Sequence, residues 1–181
     1  MLLDTPVCDF GAPAPHFTLR TPDGSSAGVP ASAGAKGLLV AFICNHCPYV
    51  IGIADRLAAD LNALVDEGFG VLAVMSNDYA AYPTDAPDRM EDFAAAHGFR
   101  FPYLVDEDQA VGRAYGAVCT PDFFGYNADL GLQYRGRLDV AGRGDASGRV
   151  PELLNAMRQI GETGQGPAAQ VPSMGCSIKW R

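Results

Sequence analysis

The feature that most constrains the fold is a continuous apolar run, residues 38–43, which ends directly at a Cys-x-x-Cys-Pro segment. The run is apolar on both faces and contains valine and isoleucine, as is typical of a central strand covered by helices on each side. From residue 51 to 65 apolar positions recur at helical spacing, and Pro48 and Gly68 fit the first turn and the end of one helix. A second apolar strand follows at residues 71–75. Because parallel neighbouring strands are joined by right-handed crossovers, this order predicts an α/β fold.

The rest of the chain predicts further elements around this crossover. They are a short N-terminal hairpin before residue 37, a helix that closes at Gly98, a short strand at 101–105, a short helix at 109–115, an antiparallel hairpin of residues 123–126 and 132–138, and a last helix over 150–160. At 181 residues, 48% of them apolar, the chain has the length of one domain. We therefore predict a single domain over residues 1–181, with its core at about 36–160 and an aperiodic tail at 161–181.

Composition and charge exclude several classes of function. The 13 Lys and Arg against 21 Asp and Glu give a formal charge of −8, which repels phosphate backbones, so we expect no nucleic-acid partner. No stretch approaches the roughly 20 apolar residues that span a bilayer, and no membrane role is expected. The N-terminus has neither the basic flank nor the apolar run of an export signal, which predicts a cytoplasmic protein. Five cysteines are too few and too scattered for a disulfide scaffold.

The close pair of Cys44 and Cys47 is the strongest candidate for chemistry. Its position between strand and helix places Cys44 at or just before the first helical turn, where unpaired backbone N–H groups and the helix dipole stabilise a thiolate. His46 adds a positive charge when protonated, and so tunes the pair toward its reduced form. Two thiols one turn apart can attack a disulfide and then resolve the mixed disulfide. The same residues can also supply two zinc ligands or form an inert buried pair.

The order of these elements resembles the thioredoxin fold over residues 36–160. The shared features are a strand, a Cys-x-x-Cys that opens a helix, and a hairpin that begins at Thr120-Pro121. The resemblance implies a central mixed sheet flanked by helices, here with an N-terminal hairpin extension and a C-terminal tail. It also implies that Pro121 is a cis-proline facing the pair, and that Thr120 offers backbone hydrogen bonds to an extended substrate.

More specifically, the chain resembles the peroxiredoxin-like branch of the AhpC/TSA redoxins that carries a Cys-x-x-Cys. The matching segments are residues 11–17 (GAPAPHF), 42–50 (FICNHCPYV), 118–123 (VCTPDF) and 175–180 (GCSIKW). Aligned on Cys47, however, the peroxiredoxin signature Pro-x-x-x-Thr-x-x-Cys has Val40 and Cys44 at its Pro and Thr positions. No arginine falls near Thr120 to polarise a peroxide. These departures argue against fast peroxide turnover.

Thioredoxin itself is also an imperfect match. Ile43 stands where a Trp normally precedes the first cysteine, and Leu38 takes the place of the buried acid that helps to deprotonate the second. The Asn45-His46 dipeptide resembles the His-containing pair of bacterial periplasmic disulfide oxidases. A strong general reductase is therefore not expected.

The other candidate residues carry weaker signals. Two further cysteines are candidates for additional redox thiols: Cys119, which lies two residues before Pro121, and Cys176, which lies in the tail. A buried apolar role also suits each of them. Cys8 has no expected chemistry. The acidic residues after the second strand are predicted to form a solvated face; they are Asp85, Asp88, Glu91 and Asp92.

The sequence therefore predicts a thiol–disulfide oxidoreductase in which Cys44 attacks and Cys47 resolves, with no cofactor and no bound metal. Its expected partners are thiols or disulfides of proteins or of low-molecular-weight compounds, with hydroperoxide as a further candidate substrate. Two alternatives stay open. One is a thiol peroxidase with Cys47 as the peroxidatic cysteine, and the other is a non-enzymatic partner-binding or zinc-binding module.

Overall fold

The computed structural model describes residues 1–181 as ten strands, five α-helices and one short 3₁₀ turn. The strands are β1 (Leu2–Asp4), β2 (Phe17–Arg20), β3 (Ser26–Val29), β4 (Leu38–Phe42), β5 (Gly70–Met75), β6 (Tyr103–Val105), β7 (Cys119–Thr120), β8 (Asp122–Tyr126), β9 (Leu132–Tyr134) and β10 (Met174–Ser177). The α-helices are α1 (Pro48–Ile51), α2 (Ala54–Asp66), α3 (Pro87–His97), α4 (Ala110–Tyr115) and α5 (Glu152–Thr163), and the 3₁₀ turn is Pro83–Asp85. No helix is long and apolar enough to cross a membrane.

A seven-stranded mixed sheet in the order β3-β2-β6-β5-β4-β8-β9 forms the centre of the fold. β4 runs parallel to β5, and β5 runs parallel to β6, whereas β8 lies antiparallel on the other side of β4. The connection from β4 to β5 contains α1 and α2, as the apolar pattern predicts. The predicted α/β fold, thioredoxin-like with a central mixed sheet flanked by helices, is confirmed.

Alternation along β4 divides the core into two layers. Leu39 packs into the layer that contains Cys44 and Cys47, whereas its neighbour Val40 packs into the layer on the opposite face. The first layer is closed by α2, α3 and α5. The cysteine pair is therefore part of a packed core layer and does not project from the surface.

The helix predicted to run from Pro48 to Gly68 is broken in two. The backbone N–H of Ile53 bonds to the carbonyl of Val50, three residues back, which tightens the chain and interrupts the helical ladder between α1 and α2. The break lets the Ile53 side chain become buried in the core. Only the four residues of α1 therefore follow the cysteine pair as continuous helix.

The predicted aperiodic tail contains a strand that the sequence analysis missed. β10 pairs antiparallel with β1 on one side and with β7 on the other, and the three strands form a second sheet in the order β1-β10-β7. The hairpin strand predicted at residues 132–138 is also shorter, since it ends at Tyr134. After this point the Arg135 guanidinium turns to the buried carboxylate of Asp122, at 2.9 Å.

Candidate active site

The two cysteines of the pair occupy different parts of the strand-to-helix connection. Cys44 lies in the loop after β4, whereas Cys47 is the N-cap of α1, with φ −70° and ψ 120°, and Pro48 starts the helix. Cys44, predicted to lie at or just before the first helical turn, lies before that turn, and the next residue, Asn45, donates its backbone N–H to Asp85 at 2.8 Å. Both cysteines of the pair are buried, since Cys44 is 1% exposed and Cys47 is 0% exposed.

The two sulfur atoms meet at Thr120 on β7. The Cys44 sulfur lies 3.4 Å from the Thr120 hydroxyl oxygen, Oγ1. The Cys47 sulfur lies 3.1 Å from the Thr120 carbonyl oxygen, to which its thiol donates when it is protonated. All five cysteines are free. The structure therefore brings both cysteines of the pair and Thr120 into one contact group.

Negative charge in this pair is favoured on Cys47. The hydrogen bond from the Cys44 thiol lowers the pKa of Cys47 from its ordinary value of 9.0 to about 4, although burial opposes ionisation. Hydrogen bonds from Thr120 and Cys176 lower this pKa further. Because α1 has only four residues, these specific hydrogen bonds account for the thiolate better than the dipole of a long helix.

The thiol of Cys44 is favoured in its protonated form for complementary reasons. Its pKa is raised because the thiol donates a hydrogen bond to Cys47, because burial removes it from water, and because the negative charge of Asp85 lies nearby. These causes raise the pKa of Cys44 and lower that of Cys47, so they favour negative charge on Cys47. The sequence prediction has Cys44 as the thiolate, whereas these pKa directions favour Cys47.

Asp85 is a fully buried carboxylate at the end of the 3₁₀ turn. It accepts hydrogen bonds from the Asn45 backbone N–H at 2.8 Å, from Asn77 Nδ2 at 2.9 Å and from His46 Nδ1 at 2.7 Å. The prediction of a solvated acidic face holds for the three neighbouring acids of α3, which are exposed, but it is wrong for Asp85. The one available signal was its position between two prolines at the start of a helix.

His46, the predicted tuning residue, lies between the pair and solvent. Its ring stacks on Tyr82, with 5.5 Å between centroids and 7° between planes. Three potential ligand atoms lie within 4.8 Å of one another. They are the Cys44 sulfur, a ring nitrogen of His46 and a carboxylate oxygen of Asp85. Because Asp85 already accepts three hydrogen bonds, one of them from His46, this trio is better described as a hydrogen-bond network than as a metal ligand set.

The Thr120–Pro121 peptide bond is cis, as the resemblance to the thioredoxin fold implies. The backbone edge at Thr120, where an extended substrate was expected to pair, is occupied by β10 of the same chain. β7 and β10 run antiparallel, with Cys176 opposite Thr120 and Ser177 opposite Cys119. A substrate strand therefore cannot pair at Thr120 while β10 is in place.

The remaining cysteines differ in their surroundings. Cys119 is fully buried and burial raises its pKa to about 12, which suits a small apolar core residue. Cys176 is partly exposed and packs against the core layer that contains the pair, where its thiol and backbone N–H contribute to lowering the pKa of Cys47. Cys8 packs against the other core layer, and burial raises its pKa to about 11.

A sequence profile of the AhpC/TSA family matches residues 10–140. The chain belongs to the AhpC/TSA family. The family resemblance predicted from the motifs is thus confirmed, and the profile covers the core elements from β2 to β9. A comparison with curated proteins gave no significant match.

Some solved structures resemble this AhpC/TSA protein along nearly the whole chain, and others resemble it over part of the chain at lower sequence identity. An uncharacterized conserved protein from Geobacillus kaustophilus is 35% identical with a TM-score of 0.92, over 100% of this chain and 97% of that chain. A hypothetical protein from Sinorhizobium meliloti is 36% identical with a TM-score of 0.90, over 98% and 97% of the two chains. A secreted disulfide oxidoreductase from Mycobacterium tuberculosis is 22% identical with a TM-score of 0.53, over 65% and 80%. This last likeness shows that the AhpC/TSA chain shares its fold with a disulfide oxidoreductase.

An open groove of about 700 Å³ lies beside Pro121 in the AhpC/TSA chain, and its lining includes Tyr49, Arg143 and Met174. The Arg143 guanidinium lies 5.2 Å from the centre of the Tyr49 ring, within range of a cation–π contact. The groove therefore lies next to the start of β10, and its lining mixes apolar side chains with charged groups of both signs, including Asp4 and Arg143.

Proposed function

We propose that this AhpC/TSA protein is a thiol–disulfide oxidoreductase that cycles Cys44 and Cys47 between a dithiol and a disulfide. The observation that carries the proposal is the convergence of the two sulfurs on one residue, since Cys44 Sγ lies 3.4 Å from the Thr120 hydroxyl oxygen and Cys47 Sγ lies 3.1 Å from the Thr120 carbonyl oxygen. A thiolate is the nucleophile of disulfide exchange, and a second thiol in contact with it can resolve the mixed disulfide. Membership in a redoxin family and a fold shared with disulfide oxidoreductases support the same class of reaction.

In the reducing direction, Cys47 makes the first bond. Its thiolate attacks an incoming disulfide, forms a new sulfur–sulfur bond and releases one of the two incoming sulfurs as a thiolate. Cys44 then loses its proton and attacks the Cys47 sulfur. This step releases the second incoming sulfur and leaves a Cys44–Cys47 disulfide. Two electrons pass from the pair to the incoming disulfide, and the oxidising direction runs through the same steps in reverse.

The timing of Cys44 follows from its neighbours. While Cys47 is a thiolate, its hydrogen bond to the Cys44 thiol keeps Cys44 protonated, and burial and the Asp85 charge act in the same direction. Once Cys47 is part of a mixed disulfide, its negative charge is gone and the pKa of Cys44 falls. His46, held by Asp85 and within 4.8 Å of the Cys44 sulfur, is the group that we assign to accept the released proton.

Peroxidase chemistry has less support at this site. The hydrogen-bond partners of the Cys47 sulfur are Cys44, Thr120 and Cys176, and no arginine is among them. A fast peroxidatic cysteine requires charged donors that stabilise the charge developing on the peroxide oxygens. The partners that we propose are therefore thiols and disulfides, of proteins or of low-molecular-weight compounds.

The test of this function is the reduction potential of the pair. The protein is equilibrated in a series of glutathione redox buffers, quenched with acid and alkylated, and its cysteine linkages are mapped by mass spectrometry. We expect one two-electron transition in which Cys44 and Cys47 become linked. The transition should be absent in Cys47→Ser and unchanged in the control Cys8→Ser, whose sulfur lies outside the site. Two free thiols at positions 44 and 47 in the most oxidising buffer would show that the pair is not redox-active.

A further inference from the structure

Both sulfur atoms of the proposed pair are closed off from solvent. Cys44 is 1% exposed and Cys47 is 0% exposed, whereas disulfide exchange requires an incoming sulfur to approach in line with the bond that breaks. Neither a protein nor a small disulfide can reach these sulfurs without movement of the surrounding chain. Cys176, which packs against the core layer that contains Cys44 and Cys47, is partly exposed. It is the only one of the three contacting cysteines with appreciable exposed surface.

β10 holds Cys176 against the pair. Strand pairing puts Cys176 opposite Thr120, whose carbonyl oxygen is 3.1 Å from the Cys47 sulfur. β10 also contacts α1, the helix that Cys47 caps. The close approach requires a glycine at position 175, because a Cβ on Gly175 would collide with the Thr120 carbonyl oxygen. The three sulfurs therefore form a series, from buried Cys44 through Cys47 to the partly exposed Cys176.

β10 also lies where an extended substrate was expected to pair. In strand addition, main-chain hydrogen bonds to a sheet edge hold the side chains of a peptide over specific positions of the site. β10 makes this pairing with β7, directly before the cis peptide bond of Pro121, and the residue opposite Thr120 is itself a cysteine. The chain thus supplies its own cysteine, Cys176, at the place of a substrate cysteine.

We propose that Cys176 is a third redox thiol, which relays electrons between the buried pair and external thiols or disulfides through a transient Cys47–Cys176 disulfide. This inference rests on the proposed dithiol function of Cys44 and Cys47, and adds the route by which that pair reaches its partners. The external partner is any thiol or disulfide that can reach Cys176, and it does not displace β10.

The relay consists of three thiol–disulfide exchange steps in which bonds, protons and electrons balance. First, the Cys176 sulfur attacks an external disulfide, forms a mixed disulfide, and its proton leaves with the first external thiol. Second, the Cys47 thiolate attacks the Cys176 sulfur, which forms the Cys47–Cys176 disulfide and releases the second external sulfur as a thiolate. Third, Cys44 gives its proton to His46 and attacks the Cys47 sulfur, which forms the Cys44–Cys47 disulfide, and the departing Cys176 thiolate then takes up that proton. The external disulfide is reduced by two electrons, the pair is oxidised, and Cys176 is regenerated.

Cys44→Ser tests the relay directly, because serine keeps a hydroxyl donor toward Cys47 but cannot form the final disulfide. The reduced variant is mixed with oxidised glutathione, quenched with acid at intervals, alkylated and mapped by mass spectrometry. We expect the reaction to stop at a Cys47–Cys176 disulfide, with both glutathione thiols released. Glutathione retained on Cys47 or on Cys176, with no link between these two residues, would refute the relay.

Cys176→Ser supplies the kinetic test. Formation of the Cys44–Cys47 disulfide by oxidised glutathione should be at least about tenfold slower than in wild type, because direct attack at Cys47 then requires local opening of β10. Cys8→Ser should react at the wild-type rate, and circular dichroism of both variants controls for folding. If Cys176→Ser reacts as fast as wild type, the relay is wrong although the proposed function stands. If no variant or wild type forms the Cys44–Cys47 disulfide even after long equilibration, the proposed function itself is wrong.

Discussion

Removal of the Cys44 thiol tests where the negative charge of the pair resides. The hydrogen bond from this thiol is the largest contribution that holds the pKa of Cys47 at about 4. Cys44→Ala deletes the donor and leaves the core packing around Cys47 otherwise in place. A hydrogen bond to a charged group contributes about 1.5–3 kcal/mol, and 1.36 kcal/mol corresponds to one pKa unit, so we expect the titration midpoint of Cys47 to rise by about 1–2 pH units.

The assay is the ultraviolet absorbance of the thiolate, titrated against pH in the reduced protein. Burial raises the pKa of Cys8 to about 11 and that of Cys119 to about 12, so neither contributes absorbance in the acid range. The acid-range signal therefore comes from the remaining cysteines, which are Cys44, Cys47 and Cys176. The matched variant Cys47→Ala should lose this signal, whereas Cys44→Ala should keep it at a higher midpoint.

Two results would refute this reasoning. If Cys47→Ala kept an acid-range thiolate and Cys44→Ala lost it, the charge would reside on Cys44, and the assignment of Cys47 as the attacking sulfur would be wrong. If Cys44→Ala left the midpoint unchanged, the hydrogen bond between the thiols would not be the cause of the low pKa.

Three further predictions concern the surroundings of the pair. Asp85→Asn should lower the free energy of unfolding, measured in urea, by about 1–3 kcal/mol, because an amide cannot accept all three hydrogen bonds of the buried carboxylate. The exposed control Asp88→Asn should change the free energy of unfolding by less than about 0.5 kcal/mol. Gly175→Ala should cost about 1–3 kcal/mol and speed amide hydrogen exchange in β10, because the new methyl group meets the Thr120 carbonyl. Stability should fall as pH decreases from 9 toward about 4, because the folded-state pKa of Cys47 lies below its ordinary value, and Cys47→Ala should flatten this dependence in urea unfolding curves.

Each of these three predictions has a contrary outcome. Equal losses in the variants at positions 85 and 88 would mean that the buried hydrogen bonds of Asp85 do not stabilise the fold. An unchanged hydrogen-exchange rate in the Gly175 variant would mean that β10 is not held against β7. An identical pH dependence of stability in wild type and Cys47→Ala would assign that dependence to other groups.

The central strands and the crossover were predictable because their signals are local. β4 and β5 read as continuous apolar runs, since both faces of a central strand are covered, and α2 shows a helical period. The motif at residues 44–47 and the Thr120-Pro121 dipeptide were also visible from the sequence, and the fold brings them into contact.

Asp85 and β10 show why the rest was not predictable. Asp85 is hydrogen-bonded to a backbone group 40 residues earlier in the chain, so its burial is invisible in an acidic local segment. β10 is four residues long, has no alternating pattern, and pairs with strands from the N-terminus and from residues 119–120. Short strands of this kind are specified by their partners rather than by their own composition.

By itself, the sequence determined the α/β class, the family and the presence of two thiols between a buried strand and a helix, because periodicity and motif spacing are properties of contiguous residues. Only the tertiary structure decided that the pair is buried, that both of its sulfurs contact Thr120, and that β10 places Cys176 opposite Thr120. These three features depend on burial and on hydrogen bonds between segments that are far apart in the chain. Such contacts change the energy of a charged group, but the local sequence around that group contains no pattern that predicts them.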